Sequence, residues 1–232
     1  MANIAIIPAA GIGSRMQAGV NKQYLLLAGR PILAHTLAIF VAHPRIDRIC
    51  IVVPAEEIDY CRTEIVKGYG LGKVSAIIAG GHTRQDSVGN GLLGCGAALD
   101  DLVVIHDGAR PLLSAAELDA LLDAATVTGA ATLGVPVKDT IKQVQDGVIV
   151  ATPERSSLWQ VQTPQAFRYE FILAAHRQAR TNNFVATDDA MLVERLQHPV
   201  TMVAGSYRNI KITTPEDLTI ASAFLAAQGV LS

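Results

Sequence analysis

Cysteine is scarce in this chain. Its 232 residues hold only Cys50, Cys61 and Cys95, an odd and unclustered set with no C-x-x-C pair. Such a set excludes a disulfide framework and points to reduced thiols in a cytoplasmic protein. The six histidines fall at no H-x-x-x-H or mixed ligand spacing, which speaks against a structural zinc site. Charge is thin as well: 17% of residues are Asp, Glu, Lys or Arg and the formal net charge is −2, so no broad basic surface for nucleic acid is expected. Any bound polyanion must therefore meet a local cluster of cations. No apolar run reaches about 18 residues without a Gly, Pro or charge, and no membrane-spanning helix is expected. The first apolar stretch has no basic leader and is cut by Pro8, unlike a signal peptide. Internal repeats and low-complexity tracts are also missing, which excludes a solenoid.

What the chain does have is apolar residues: 50% are hydrophobic and the mean hydropathy is +0.32. At this length that suits a single domain over residues 1–232 with a sheet buried on both faces. Apolar runs of strand length at residues 3–8, 48–53, 74–79, 102–105 and 131–135 alternate with helical patterns at 31–42, 56–66 and 83–94. A fourth helix starts at Ser114, whose Glu117 three residues on completes a capping box, and runs to about residue 128. The alternation predicts an α/β fold, a Rossmann-like, mainly parallel twisted sheet with helices on both faces.

The pattern breaks between Lys138 and Trp159. Residues 140–144 and 148–152, joined through Asp146-Gly147, read as a β-hairpin with a type I′ turn, an inserted arm at about residues 138–160. A lone hairpin has little core and must dock on something else, for which a partner subunit is the simplest candidate. Helices are expected at 169–180 and 188–197, a strand at 200–203, and a closing helix at 215–227 capped by Thr214.

The first strand runs into Pro8-Ala9-Ala10-Gly11-Ile12-Gly13-Ser14-Arg15-Met16, with Lys22 soon after. Small residues let backbone N–H groups come close to an anion. Arg15 and Lys22 add the cations that a triphosphate needs and a packing turn does not. Two better-known phosphate loops do not fit. The dinucleotide fingerprint fails because Met16 replaces its third glycine and Leu33-Ala34-His35 stand where an acidic residue belongs. The P-loop fails because Gly68-x-Gly70-x-Gly72-Lys73 has the wrong spacing and ends in Val74.

Ligands of open α/β sheets gather at the carboxyl ends of the strands, and residues 8–15, 80–87 and 106–110 all follow strands directly. Asp107 either holds a divalent ion against phosphates or caps a turn and pairs with Arg110. His106 reads as a hydrogen-bonded structural residue. Lys211 lies between Ile210 and Ile212 and, in a strand, faces away from both. Thr187-Asp188-Asp189 reads as a helix cap. Arg15, Lys22, Arg110, Arg155 and Lys211 are far apart in sequence, and no nucleophile–base pair stands out. That suits transfer to phosphorus by positioning and charge stabilisation better than acyl transfer.

With these motifs in order, the chain resembles the 2-C-methyl-D-erythritol 4-phosphate cytidylyltransferases of the non-mevalonate isoprenoid pathway. The matching motifs are Pro8-Ala9-Ala10-Gly11-x-Gly13-x-Arg15-Met16, Lys22-Gln23-Tyr24, Gly80-Gly81-x-x-Arg84-x-Asp86-Ser87-Val88, His106-Asp107-x-Ala109-Arg110-Pro111, Lys138-Asp139-Thr140, Gln162-Thr163-Pro164-Gln165, Thr187-Asp188-Asp189 and Asn209-Ile210-Lys211. The resemblance implies a nucleotidyltransferase-type sheet and a CTP-dependent, Mg²⁺-assisted transfer that releases pyrophosphate. It also implies a homodimer whose hairpin arms interlock. It assigns the catalytic cations Arg15, Lys22, Arg155 and Lys211, and a CTP cradle of Pro8, Ala9, Ala10, Gly11, Gly13, Arg15, Lys22, Gly81, Ser87 and Gly108. Asp107, Arg110, Thr140, Arg155, Thr163 and Lys211 are assigned to the acceptor, with Asp107 near the metal. His82 stands where the family often has Asp, and Gly108 replaces a frequent Ala. The chain ends just after its last helix, which suggests a monofunctional enzyme. Transfer to another polyol phosphate, such as D-ribitol 5-phosphate, and a non-catalytic nucleotide-binding regulator are the competing readings.

Overall fold

The structure, a computed structural model, describes residues 1–11 and 21–227. The expected contacts of Gly13 and Arg15 lie outside the described residues. The chain begins with strand β1 (Asn3–Pro8), followed by the short pair β2 (Leu26–Leu27) and β3 (Arg30–Pro31), helix α1 (Ile32–Ala42) and strand β4 (Arg48–Val53). The helix expected at 56–66 is wound unevenly: a 3₁₀ turn leads into α2 (Ile58–Tyr60), and the segment closes in a π-type stretch at Cys61–Lys67. Next come β5 (Val74–Ala79), α3 (Arg84–Gly94), β6 (Leu102–Ile105), α4 (Ala115–Thr128) and β7 (Ala130–Pro136). Capping boxes open α3, where Thr83 pairs with Asp86, and α4, where Ser114 pairs with Glu117 as expected.

The arm is the hairpin β8 (Gln143–Gln145) and β9 (Val148–Ala151). Asp146 and Gly147 take φ of +49° and +79°, the left-handed pair that a type I′ turn requires. Every residue of both strands is exposed. The last part comprises β10 (Trp159–Arg168), α5 (Tyr169–Thr181), α6 (Asp189–Glu194), β11 (Thr201–Ala204) and α7 (Pro215–Ala226). Helix α6 stops short of the expected residue 197, where Gln197 turns to φ +60°. No strand forms around Lys211.

Seven strands make one sheet in the order β11-β7-β10-β6-β1-β4-β5. All neighbours run parallel except β10, which is antiparallel to both β6 and β7. This strand was not expected, because Gln162, Thr163 and Gln165 are polar and Pro164 interrupts its ladder. Its register to β7 shifts between Val161 and Gln165.

Alternate residues of the apolar strands serve opposite faces. Ala5, Ile7, Ile49 and Ile51 pack with Leu33, Leu37 and Phe40 of α1 and Leu118, Leu121 and Leu122 of α4. Ile4, Ile6, Cys50 and Val52 pack with Val88 and Leu92 of α3, Ile172 of α5 and Leu192 of α6. A smaller cluster of Leu27, Ile32, Leu112, Ile212, Ala221 and Leu225 seats α7 beside β2. Strand order grows from β1 toward β4 and β5 on one side and toward β6 on the other. The switch point therefore lies between β1 and β6, and a crevice opens beyond their carboxyl ends.

Candidate active site

A cleft of about 830 Å³ lies at that switch point. Its floor is the turn after β1, Pro8, Ala9, Ala10 and Gly11, and the turns after β5 and β6 form its sides. The loops are drawn together by backbone bonds. Ala9 N–H donates to Val52 O at 2.7 Å, Gly80 N–H to Val53 O at 2.8 Å and Gly108 N–H to Pro8 O at 3.1 Å. Little room is left for side chains where they meet. A Cβ on Gly80 would sit 2.5 Å from Ala10 Cβ, and one on Gly108 would sit 3.1 Å from Ala9 Cβ. An alanine at 108 is thus tight rather than indifferent.

Of the expected nucleotide contacts within the described residues, Pro8, Ala9, Ala10, Gly11, Lys22, Gly81, Ser87 and Gly108 all border this cleft. Lys22 opens a 3₁₀ turn, Lys22–Tyr24, at the side of the cleft. The Ser87 hydroxyl is already used within its own loop. It donates to Thr83 O at 2.9 Å and accepts from Gly81 N–H at 3.1 Å, so it shapes the turn that presents Gly81.

Opposite this cradle stands Asp107, 6% exposed, at the end of β6. Three cations hold it. Arg84 Nε donates to its Oδ1 at 2.9 Å, Lys211 Nζ lies 2.8 Å from Oδ2 and Arg110 Nε lies 3.6 Å from Oδ2. Burial alone would raise the pKa of this carboxyl, but Arg84, Lys211 and Arg110 outweigh it and hold it well below the usual carboxylate range. Lys211 is brought here by its neighbour, because Ile212 is buried and its N–H donates to Ala109 O at 2.9 Å. Arg110 is steadied by its own donation from Nη1 to Asn209 O at 2.7 Å. Of the two readings of Asp107, the turn paired with Arg110 is present: Arg110 N–H donates to Asp107 O at 3.1 Å, and the side chains meet as above.

The metal-ligand role expected of Asp107 does not fit this arrangement. Both carboxylate oxygens already receive cationic donors, and no group of three His, Cys, Asp or Glu side chains that could hold a metal occurs among the described residues. A divalent ion would have to compete with Lys211 for Oδ2 while facing three positive groups.

Thr163 lies behind Asp107 rather than on the cleft wall. Its hydroxyl accepts from Asp107 N–H at 3.0 Å and faces His106 Nδ1 at 3.3 Å, while His106 Nε2 meets Arg110 O at 2.9 Å. Arg110 O can only accept, so Nε2 carries the ring proton and Nδ1 accepts a hydrogen bond from the Thr163 hydroxyl. Burial pushes the His106 pKa down to about 4, keeping the ring neutral. It is a structural residue, as expected, and it fixes the Asp107 backbone.

Thr140 and Arg155 are not brought to the cleft of their own chain. Both are exposed, and Arg155 Nη1 donates to Lys138 O at 2.9 Å across the root of the arm. Among the residues given no catalytic or binding role, Arg84 lies on the cleft wall and Asp189 is buried behind it. Arg84 stands at the first position of a capped helix facing the strand ends, and Thr187-Asp188-Asp189 has one carboxylate more than a cap uses. Those were the available signals.

The sequence profile described as 2-C-methyl-D-erythritol 4-phosphate cytidylyltransferase matches residues 3–227. The chain belongs to that family. It is 56% identical over 229 residues to the enzyme of that name from Syntrophotalea carbinolica, covering 99% of this chain and 98% of that protein. It is 53% identical over 222 residues to the one from Geotalea uraniireducens, covering 95% of each. The solved 4-diphosphocytidyl-2C-methyl-D-erythritol synthase of Anaerococcus prevotii superposes with a TM-score of 0.84 at 32% identity, over 97% of this chain and 96% of that one. That solved structure therefore shares the overall fold described here.

Proposed function

We propose that the chain transfers the cytidylyl group of CTP to 2-C-methyl-D-erythritol 4-phosphate, giving 4-diphosphocytidyl-2-C-methyl-D-erythritol and pyrophosphate in isoprenoid precursor synthesis. The observation that carries this reading is the pairing of a glycine-lined cradle with three cations gathered on a buried carboxylate. The acceptor phosphate oxygen, ionised at neutral pH, attacks the α-phosphorus of CTP, and the bond from that phosphorus to pyrophosphate breaks. No general base is required. The work is to bring one anion against another and to stabilise the charge that builds on the triphosphate.

In this reading the backbone of Pro8, Ala9, Ala10, Gly11, Gly13, Gly81 and Gly108 cradles CTP, with Arg15 and Lys22 on its phosphates. Lys211 and Arg110 meet the acceptor phosphate, and Asp107 holds both of them in place. The triphosphate would bring magnesium with it as a counter-ion offsetting its charge, and no step is assigned to the metal.

The active species in this reading is a homodimer of single-domain subunits. Val144, Val148, Ile149 and Val150 are each more than half exposed on the arm, an apolar surface that an isolated chain rarely leaves to water. Arg155 and Thr140 sit at the root of that arm and serve the cleft of the other subunit. Three buried, unpaired thiols and the lack, among the described residues, of any helix long and apolar enough to span a membrane are in keeping with a cytoplasmic setting. Phosphorus NMR of a reaction of CTP with the acceptor checks the transfer. A coupled pair of diphosphate doublets is expected, whereas CMP and pyrophosphate alone would refute acceptor transfer.

A further inference from the structure

Behind the cleft, Asp189 is 1% exposed and stands first in α6, yet it does not cap that helix. Its neighbour Asp188 does so, accepting from Met191 N–H at 3.0 Å. The end of α6 is also tied to β10 without Asp189, because Gln165 donates to Asp188 Oδ2 at 2.8 Å and accepts from Ala190 N–H at 3.0 Å. The Asp189 carboxylate is spent elsewhere. Its Oδ2 accepts from Arg84 Nη1 at 2.7 Å, and its Oδ1 faces His176 Nε2 at 3.2 Å. The other edge of the Arg84 guanidinium is the one that holds Asp107. His176, Asp189, Arg84, Asp107 and Lys211 form one continuous chain of ion pairs and hydrogen bonds, from a buried helix to the cleft wall.

We propose that Asp189 and Arg84 are positioning residues for the acceptor side of the cleft: Asp189 anchors one edge of Arg84 so that the other edge binds only Oδ1 of Asp107, leaving Oδ2 to hold Lys211. This rests on the cytidylyl-transfer reading above. A planar guanidinium can span two carboxylates with fixed geometry, which an ammonium cannot. Without Asp189 the guanidinium is free to turn one whole edge onto Asp107 as a two-bond pair, taking Oδ2 from Lys211. The group of three cations and two carboxylates would also gain one positive charge behind the cleft. The consequence falls on the acceptor site, since Asp189 itself does not border the cleft.

The test is the isosteric Asp189→Asn in the full chain, alone and with Lys211→Gln, assayed by pyrophosphate release with CTP and acceptor varied separately. The expected result is an acceptor KM raised about tenfold or more, the scale of one lost hydrogen bond to a charged group, with the CTP KM within about twofold. In the Lys211→Gln background the added loss should disappear, because interacting residues are non-additive. Arg84→Lys, which keeps the charge but cannot bridge both carboxylates, should repeat the acceptor-selective loss, and it serves if Asp189→Asn fails to fold. An unchanged acceptor KM, equal losses for both substrates, or the same fold-loss with and without Lys211 would overturn the proposal. If the native chain releases no pyrophosphate with any acceptor, the transfer reading fails by itself. The same cycle is then read calorimetrically with inorganic phosphate, whose affinity must change with Asp189→Asn only while Lys211 is present.

Discussion

Arg155 lies on the arm, exposed and bonded to Lys138 O, while Lys211 faces the cleft of its own chain. If the two serve one acceptor phosphate, they must come from different subunits, and two inactive variants should then repair each other. Let one subunit carry Arg155→Ala and the other Lys211→Ala. In a hybrid dimer, the cleft of the first subunit keeps its own Lys211 and receives an intact Arg155 from the second. The other cleft lacks both. Random pairing makes about half the dimers hybrids, each with one sound cleft, so the mixture should recover about one quarter of native turnover in a two-fold dimer. Each variant alone should fall by about 100- to 1,000-fold, the cost of removing one donor aimed at developing charge. The assay is pyrophosphate release at saturating CTP after co-expression of the two subunits under separate tags, and the hybrid isolated by both tags should turn over at about one half of the native rate. Recovery no greater than either parent would show that Arg155 acts within its own chain or not at all.

Three further outcomes are expected. Lys211→Met should lower kcat/KM for the acceptor by about 100-fold or more while leaving CTP binding by calorimetry nearly unchanged; an equal loss of CTP affinity would place Lys211 on the nucleotide instead. His106 is held neutral by burial, with its pKa lowered from 6.5 to about 4, so between those values the unfolded chain binds the extra proton. Stability from this residue is full above pH about 6.5 and falls as pH drops toward 4, by up to about 3 kcal/mol; thermal melts of His106→Gln should show a flatter acid limb, and an identical slope would refute the assignment. Gly91→Ala gains about 1 kcal/mol of helix propensity, but its Cβ would sit 2.7 Å from Ile6 Cγ2 and 3.0 Å from Val52 Cγ2. Overpacking at about 1–3 kcal/mol should win, so urea denaturation should show a net loss, and a gain would mean that β1 and β4 yield easily.

The apolar strands and capped helices were legible because each repeats its own period and ends in its own signal: Ile4, Ile6 and Val52 alternate to one face, and Thr83 and Ser114 open helices with an acid three residues on. Strand β10 was not legible. Its centre is Gln162, Thr163 and Gln165, which are buried but polar, with Pro164 among them. These side chains are kept inside by specific partners, among them Thr132 and Asp188 for Gln165, and no hydrophobic pattern reports such bonds. The same limit applies to the site. Single motifs marked Asp107, Lys211 and the glycine turns, but the link from Asp189 through Arg84 to Asp107 joins three elements distant in sequence and exists only once the sheet has formed. The arm was legible from Asp146-Gly147, which demands a left-handed turn, though nothing in its local sequence says which cleft it serves.

The central claim is that basic side chains gathered over a glycine-lined crevice force an ionised acceptor phosphate against the α-phosphorus of CTP. It is tested most directly by measuring pyrophosphate release from CTP, UTP, ATP and GTP, each against 2-C-methyl-D-erythritol 4-phosphate, D-ribitol 5-phosphate and water. Turnover confined to CTP with the methylerythritol phosphate is the expected result. Release that needs no acceptor, or that is indifferent to its identity, would contradict it.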